Sequence, residues 1–468
     1  MLNGGINVVE ATMSILNHPD AQALLADADL PTAAVAACSD HLSAFAQRYL
    51  PLFHRAEQGA HALTVLRGKL TGLQRKTTEP IARKAGQKRR PLQLFVGAGG
   101  WDDRAVLDEL RRHVASELAD DPEEEGVFIL DSSAFPKKGK DSCGVARQWC
   151  GRLGKIDNCQ VGVFLAYAGP ANRGCALLDA RLYLDQDWIG DQRRRQKTHV
   201  PKDIVFLEKW RIGLELLDHA RAKGDLGGGG GGGWVVGDDD FGRCSELRAA
   251  LRYRQLRYVL DVPCNTLVRD VGERRPPNRA GGAPRRPLFE RVDQWTARQP
   301  AGRWRTVRVK DGEKGPITVR VLLATVQTKD EDGCVGPSER LAVIKSCQEE
   351  QGQGQTQTWY ALSNARQARR AQVARVHSTR HKVEEVLQQG KGEVGLDHYE
   401  VRSWVGWHHH MTLSLLALWF LQTERLRLGG KNAGGDGAAG AGDLHRVAPR
   451  TQPQRGAGGG GRQRCAAA

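Results

Sequence analysis

The feature of this sequence that most constrains its fold is a pair of short apolar runs, each of which ends in an aspartate. VFIL leads to Asp131, and WVVG leads to Asp238. Runs of this length and composition predict strands buried on both faces. A carboxylate at the end of a buried strand is costly unless it binds a metal ion or pairs with a charge. For either residue alone, a turn-initiating or helix-capping aspartate remains an alternative.

The overall charge predicts a polyanionic partner. The 468-residue chain carries 69 Lys and Arg against 54 Asp and Glu, a formal net charge of +15. Basic side chains near phosphates release condensed counterions, so nucleic acid is the expected partner, and a merely basic soluble protein is the alternative. Together with the two strand-end aspartates, the charge favours a carboxylate site for Mg²⁺, which prefers oxygen ligands and leaves positions open for phosphate oxygens.

Composition argues against several other classes. The ten cysteines form no CxxC pair, and the spacing of Cys143, Cys150 and Cys159 fits no common zinc pattern. The N-terminus lacks the basic-then-apolar build of a signal peptide, and the longest apolar run, 413–421, is too short to span a bilayer. We therefore expect a cytoplasmic protein with reduced thiols, associated with the nucleoid and without a membrane partner.

Hydrophobic periodicity divides the first half of the chain. Residues 1–120 predict helices, within which the basic segment 72–91 is interpreted either as a DNA-contacting surface or as a solvated helix face. Three close apolar runs then predict an antiparallel meander, and they are followed by a helix at 204–224 and a flexible run of seven glycines at 227–233. The three runs are 126–131, 159–169 and 175–184.

The second half alternates between β-rich and helical patterns. Two strands, 234–238 and 257–263, enclose a helix, and an Arg/Pro/Gly-rich stretch leads to a mostly β segment. Helices are predicted for 361–396 and 403–425, and the Gly/Ala/Arg-rich tail after 429 is predicted to be disordered. The predicted strands of the β segment are 304–312, 317–327 and 340–346.

With these patterns in place, the sequence resembles the DDE-type transposases of bacterial insertion sequences. The resemblance extends over about residues 65–425, in the branch that has a Y-x2-R-x3-E-x6-K signature around the third acid. Three blocks in order carry it: LDSSAFPKKGKDSCGVARQWCGRLGKIDNCQVGVFLAY, WVVGDDDFGR and KGEVGLDHYEVRSWVGWHHHMTL.

The signature itself can be counted in the sequence. From Arg380, three residues lead to Glu384 and six more lead to Lys391, as the signature requires. This spacing selects Glu384 over its neighbour Glu385. The tyrosine position holds His377 instead, which puts one supporting contact in doubt and leaves the carboxylate in place.

The resemblance implies an α/β fold: an RNase-H-like mixed sheet with flanking helices, a β-rich insertion before the third acid, and a helical N-terminal domain. The implied divisions are a DNA-binding region at 1–120, the first part of the core at 121–264, the insertion at 265–365, the last part of the core at 366–428, and the tail at 429–468.

It also implies a site with two Mg²⁺ ions, for which Mn²⁺ can substitute. Asp131 would bridge both ions, and Asp238 and Glu384 would each hold one. Asp239 and Asp240 compete with Asp238, which is preferred because it lies four residues before a glycine, as the family pattern requires.

Basic residues near the acids are the expected DNA contacts. The resemblance assigns Lys391 to a phosphate, and Arg380, one helical turn before Glu384, would orient that carboxylate or hold DNA. The turn after Asp131 contains Lys137, Lys138 and Lys140, which would bind phosphates or form a solvated basic turn.

Other conspicuous residues have simpler explanations. Histidines 408–410 are consecutive in a predicted helix, so they point in different directions and cannot converge on one metal ion. Trp404 and Trp407, one turn apart, are expected to pack the final helix against the core rather than stack on bases.

The expected function is a cut-and-paste transposase that acts on double-stranded DNA, both terminal inverted repeats and target DNA, as a dimer. Two alternatives remain open: another RNase-H-like nuclease or resolvase, and a DNA-binding protein that has lost catalysis. The glycine run, the stretch at 269–305 and the tail depart from the family's usual sequence, which raises the hypothesis that this copy is partly decayed.

Overall fold

The structure is a computed structural model, and it describes most of the chain between residues 37 and 428. The described residues are 37–118, 125–170, 173–222, 226, 233–273, 288–312, 315–330, 332–347 and 357–428. The predicted disordered tail, residues 1–36 of the region predicted to be helical, and most of the glycine run lie outside them.

The N-terminal part is helical, as predicted. It contains α1 (Cys38–Gln47), α2 (Ala56–Lys69), α3 (Thr78–Lys84), α4 (Arg89–Ala98) and α5 (Asp103–Glu117), with a short 3-10 turn at Leu50–Leu52. Asp102 caps α5, because its side chain accepts hydrogen bonds from the backbone N–H groups of Arg104 and Ala105. The apolar face of α5, which includes Val106 and Leu110, is buried in the main core.

The sheet begins with an antiparallel group of strands. These are β1 (Val127–Pro136), β2 (Ala146–Cys150), β3 (Lys155–Ala168) and β4 (Cys175–Leu182), with a 3-10 turn at Gly151–Leu153 between β2 and β3. β3 pairs with β1 on one side, and with β2 and then β4 on the other. Short helices α6 (Gln186–Gly190) and α7 (Gln192–Lys197) lead to α8 (Lys209–Ala222), which packs on β1, β3 and β4.

Two parallel strands complete the core sheet. β5 (Trp234–Gly237) pairs with β1, and β6 (Arg257–Asp261) pairs with β5. Between them lie α9 (Asp239–Gly242) and α10 (Ser245–Tyr253). The resulting order β4-β3-β1-β5-β6, antiparallel on one side and parallel on the other, is the RNase-H-like arrangement that the sequence predicted.

The next segment extends the same sheet. It contains β7 (Leu267–Asp270), β8 (Glu290–Arg291), α11 (Val292–Ala297), a 3-10 turn at Ala301–Arg303, β9 (Arg305–Gly312), β10 (Gly315–Thr328), β11 (Glu339–Ser346) and β12 (Thr358–Ser363). β12 pairs with β6 and joins this segment to the core. Alternate residues of β11 face opposite sides: Ala342 and Ile344 enter the main core, and Leu341 and Val343 enter a second core around Trp295.

Three helices end the described chain: α12 (Arg370–Ser378), α13 (His381–Glu393) and α14 (Trp404–Arg427). α14 is buried along most of its length because it packs between β4 and the N-terminal helices α2, α4 and α5. The helical prediction for 361–396 is confirmed for 370–378 and 381–393, but it is wrong for residues 361–363, which pair in β12, and the helix divides at Thr379 and Arg380. Among the described helices, none is both long and apolar enough to cross a membrane.

Candidate active site

The candidate site lies where the parallel pairing of three strands ends. β1, β5 and β6 are adjacent, with Leu130 paired to Gly237 and Gly237 paired to Leu260. The next residue on each strand is an aspartate. Since residues at the same level of a parallel sheet project to the same face, the strands place three carboxylates in a row. These are Asp131, Asp238 and Asp261.

Asp131 is half-buried in the middle of β1. Its Oδ1 accepts a hydrogen bond from the backbone N–H of Ser132 at 2.6 Å. Burial, and then the negative charge of Asp238, raises the pKa of Asp131 to about 7, in spite of that hydrogen bond. The negative charge of the Asp131 carboxylate is therefore unfavourable in this environment. A bound cation would stabilise it.

Asp238 forms the N-cap of α9. Its Oδ1 accepts hydrogen bonds from the N–H groups of Asp240, at 3.1 Å, and Phe241, at 3.3 Å. Burial raises the pKa of Asp238 to about 6, and the charges of Asp240 and Asp239 add to this. Asp239 and Asp240 are exposed, and Asp240 pairs with Arg243 at 2.9 Å. Of the three consecutive aspartates, the structure thus brings Asp238 to the row.

Gly242, four residues after Asp238, is required for a steric reason. A Cβ atom on Gly242 would lie 1.9 Å from the carbonyl oxygen of Asp261. Only glycine therefore lets α9 lie directly against β6. Because Asp238 caps the same one-turn helix, the close approach at Gly242 also fixes where Asp238 lies.

Glu384 comes to the row from α13. Its Oε1 accepts a hydrogen bond from Arg380 Nη1 at 2.7 Å, and its Oε2 lies 3.6 Å from His381 Nδ1. The contact with His381 and the charge of Arg380 lower the pKa of Glu384. Glu384 acts electrostatically on Asp131, whereas Glu385 acts on Lys382 and Cys175 on another side of the helix.

Both Asp131 and Glu384 line a groove of 510 Å³, whereas Asp238, Asp261 and Arg380 line a second pocket, of 390 Å³. Lys391, two turns after Glu384 on α13, also lines the groove, and its Nζ donates a hydrogen bond to Ser133 Oγ at 2.8 Å. Arg152 also lines the groove, and it pairs with Asp397 at 2.7 Å. The groove therefore combines carboxylates with fixed positive charges.

Comparison with protein families assigns the sequence to one of them. The sequence model of the family described as DDE superfamily endonuclease matches residues 48–316, more than half of the chain. The matched segment contains Asp131 and Asp238, and Glu384 lies beyond it. The chain belongs to the DDE superfamily endonucleases. Comparison with curated proteins found no match.

Membership of the DDE superfamily endonucleases implies nuclease- or transposase-type activity on DNA that depends on divalent metal. The donors in this chain fit such an ion, because Asp131 and Asp238 offer oxygen ligands and raised pKa values that a cation would lower. Within the described residues, no three His, Cys, Asp or Glu side chains are grouped closely enough to hold an ion as they stand. Glu384 is instead paired with Arg380.

The turn lysines of this DDE superfamily endonuclease lie in different environments. Lys137 points inward, with its Nζ 3.4 Å from the centre of the Tyr399 ring, and burial lowers its pKa to about 8. Lys138 and Lys140 are exposed. The latter two are available to a ligand without rearrangement, whereas Lys137 supports the fold of the turn.

The histidine triplet has a structural role. Each ring is within hydrogen-bonding distance of a different backbone carbonyl, at 2.9 to 3.1 Å, so the three side chains diverge, as predicted. The rings belong to His408, His409 and His410, and the respective carbonyls to Trp404, Trp101 and Leu396. Trp404 and Trp407 are buried in the main core, which confirms their predicted packing role.

Sequence reasoning missed Asp261. It ends the apolar run RYVL in the same way that Asp131 ends VFIL, so the same pattern was present. The row of carboxylates therefore has a member that the three-acid signature does not contain. The partners of Asp261 are His377 and Arg380.

Proposed function

We propose that this endonuclease is a DNA transposase that cleaves the ends of an insertion sequence and joins them to target DNA by a cut-and-paste reaction. The observation that supports this best is the placement of the acids: Asp131 and Asp238 follow paired residues of two adjacent parallel strands, and α13 brings Glu384 and Lys391 to the groove that Asp131 lines.

The residues have the following roles in this proposal. Asp131, Asp238 and Glu384 would together hold two Mg²⁺ ions, for which Mn²⁺ can substitute. When bound, such ions activate the attacking water or 3′-hydroxyl and stabilise the leaving oxygen. Lys391 binds a phosphate of the DNA, in an orientation set by its hydrogen bond to Ser133. Arg380 orients Glu384 through the hydrogen bond at 2.7 Å.

Double-stranded DNA is the proposed partner, as terminal inverted repeats and as target, and the site of action is the nucleoid of the cytoplasm. The basic segment 72–91 supports this, because five of its six exposed cations lie on α3, α4 and the turn between them. The sixth, Arg75, lies before α3 and acts electrostatically on Lys137. The five are Arg83, Lys84, Lys88, Arg89 and Arg90. Cleavage of two ends in one event requires a dimer on the DNA.

A cleavage and strand-transfer assay tests the proposal. Purified protein is incubated with duplexes that end in the element's own terminal sequences, a supercoiled target plasmid, and Mg²⁺ or Mn²⁺. We expect nicks at the element ends and joined products. Asp131→Asn should abolish both and leave DNA binding largely intact, whereas Asp141→Asn, which alters an exposed acid paired with Lys197, should retain both.

Each outcome of the assay supports a different conclusion. Cleavage without joining would identify a nuclease or resolvase. DNA binding without cleavage in either metal would identify a protein that has kept the fold and lost the reaction. Efficient strand transfer by the wild type would refute the hypothesis that this copy is decayed.

A further inference from the structure

Asp261 is held at both of its oxygens by residues that flank the start of α13. Oδ1 lies 2.8 Å from His377 Nε2, and Oδ2 lies 3.1 Å from Arg380 Nε. Asp261 and His377 are only 8% and 5% exposed, so neither exchanges freely with water. The Nε–H of Arg380 does not point directly at Oδ2, so this second contact is an ion pair rather than a hydrogen bond.

The other end of the Arg380 guanidinium is also fixed. Its Nη1 donates to Glu384 Oε1 at 2.7 Å. Among the described residues, the ion pairs of Arg380 within 4.0 Å are with Asp261 and Glu384, and none is with Asp131 or Asp238. The guanidinium is nevertheless close enough for the charges of both aspartates to act on it.

This geometry matters because a guanidinium and a divalent ion compete for the same carboxylates, and the hydrogen bond from Arg380 to Glu384 uses only Oε1 of that acid. An arginine that moved onto Asp131 and Asp238 would neutralise them and occupy the space that a metal ion requires. A two-point hold at Asp261 and Glu384 restricts that movement. His377, which stands where the family signature has tyrosine, fixes the Asp261 carboxylate through its other oxygen.

We propose that Asp261, oriented by His377, is a positioning residue that holds Arg380 on the Glu384 side of the site and keeps Asp131 and Asp238 open for divalent metal. The proposal rests on the proposed function, since it assumes that Asp131 and Asp238 receive the ion. A buried acid that only stabilised the fold would have no selective effect on metal affinity.

Metal binding without DNA tests the proposal. Mn²⁺ is titrated calorimetrically into wild type, Asp261→Asn, Arg380→Gln and the double variant. We expect Asp261→Asn to raise the Kd for Mn²⁺ about tenfold, within the usual range of couplings between neighbouring sites. In the Arg380→Gln background the same substitution should have no effect, because the competing cation is gone.

Two controls separate position from charge. Asp239→Asn removes an equal charge from an exposed acid next to Asp238 that does not contact Arg380, and it should change the Kd less than twofold, on the order of a surface-charge effect. His377→Ala removes the hold on Oδ1 alone and should weaken Mn²⁺ binding in the same direction as Asp261→Asn. This second variant decides the question if Asp261→Asn does not fold.

The outcomes that overturn the proposal differ from those that overturn the function. If Asp261→Asn lowered the affinity for Mn²⁺ equally in the wild-type and Arg380→Gln backgrounds, Asp261 would act through its own charge. If it lowered the affinity in neither background, Asp261 would have no role in metal binding. If Asp131→Asn left Mn²⁺ binding unchanged, the metal assignment of the proposed function would fail. The hold on Arg380 would then be judged by a double-mutant cycle of thermal unfolding between Asp261 and Arg380, in which zero coupling refutes it.

Discussion

Lys391 on α13 donates a hydrogen bond to Ser133 on β1, with 2.8 Å between Nζ and Oγ. Ser133 lies two residues after Asp131, and Lys391 lies seven residues after Glu384. This one bond therefore joins the strand that carries the first acid to the helix that carries the third. It also holds a cation at the floor of the groove, where burial lowers the pKa of the lysine.

The first prediction concerns that cation. Lys391→Ala should weaken DNA binding about tenfold and reduce the slope of log K against log salt by about 0.9, because one phosphate contact is lost. Fluorescence anisotropy over a range of salt concentrations measures both. Lys391→Arg, which keeps the charge, should retain the slope. An unchanged slope in Lys391→Ala would show that no phosphate is bound there.

The second prediction concerns the pH dependence of stability. The pKa of Asp131 is raised from 3.8 to about 7. A raised pKa contributes stability that is fully present below the unfolded value and is lost as pH rises through the folded value. In EDTA, wild type should therefore lose stability between about pH 4 and pH 7, on the order of a few kcal/mol.

Asp131→Asn should remove most of that loss. The variant should be more stable than metal-free wild type at pH 8 and nearly equal to it at pH 4, as measured by urea unfolding at both values. Mg²⁺ should stabilise wild type at pH 8 and not the variant. A variant with the same pH profile as wild type would contradict the burial of an uncompensated charge at Asp131.

The third prediction separates two adjacent glutamates. Glu384→Gln should lower the rate of cleavage by a factor on the order of 10³ or more, since the loss of a metal ligand removes several kcal/mol of transition-state stabilisation. Glu385→Gln should leave the rate within about twofold, because Glu385 lies on the side of α13 near Lys382. Single-turnover cleavage of end-sequence duplexes measures both variants. Equal rates in the two variants would mean that the signature spacing selected the wrong residue.

The fourth prediction concerns backbone contact behind the site. Gly242→Ala should destabilise the protein by about 2–4 kcal/mol and abolish cleavage, because the new Cβ would meet the Asp261 carbonyl and force α9 away from β6. Gly392→Ala, in α13 with no atom within 4 Å of an added Cβ, should instead gain up to about 1 kcal/mol. Chemical denaturation compares the two. A neutral Gly242→Ala would show that α9 does not rest on β6.

The sequence predicted the core strands well because each is a compact apolar run with its own turn signals. The runs that end in Asp131 and Asp238 were predicted from four residues each, and the structure places them side by side. β12 was not predicted, because TWYALS is a short run with little periodicity. Its strand conformation depends on pairing with β6 and β11, which lie earlier in the chain.

The residues of the candidate site also differ in how far the sequence predicted them. The strand-end aspartates follow from local pattern, but the position of Glu384 depends on how α13 packs against the sheet, which local periodicity does not determine. The family spacing supplied that residue. Neither the local pattern nor the family spacing predicted the contact of His377 with Asp261, because the two residues are 116 positions apart in the sequence.

The pairing of β12 with β6 sets Ala361 opposite Asp261. Because neighbouring residues of a strand face opposite sides of a sheet, a one-residue shift of β6 against its neighbours would turn the Asp261 side chain away from Arg380. The effect of an insertion or deletion on the site therefore depends on where in the chain it falls. Length changes in the turns between strands leave the register alone, but a single residue added within 257–261 would separate Asp261 from its arginine while every residue of the three-acid signature remained in the sequence.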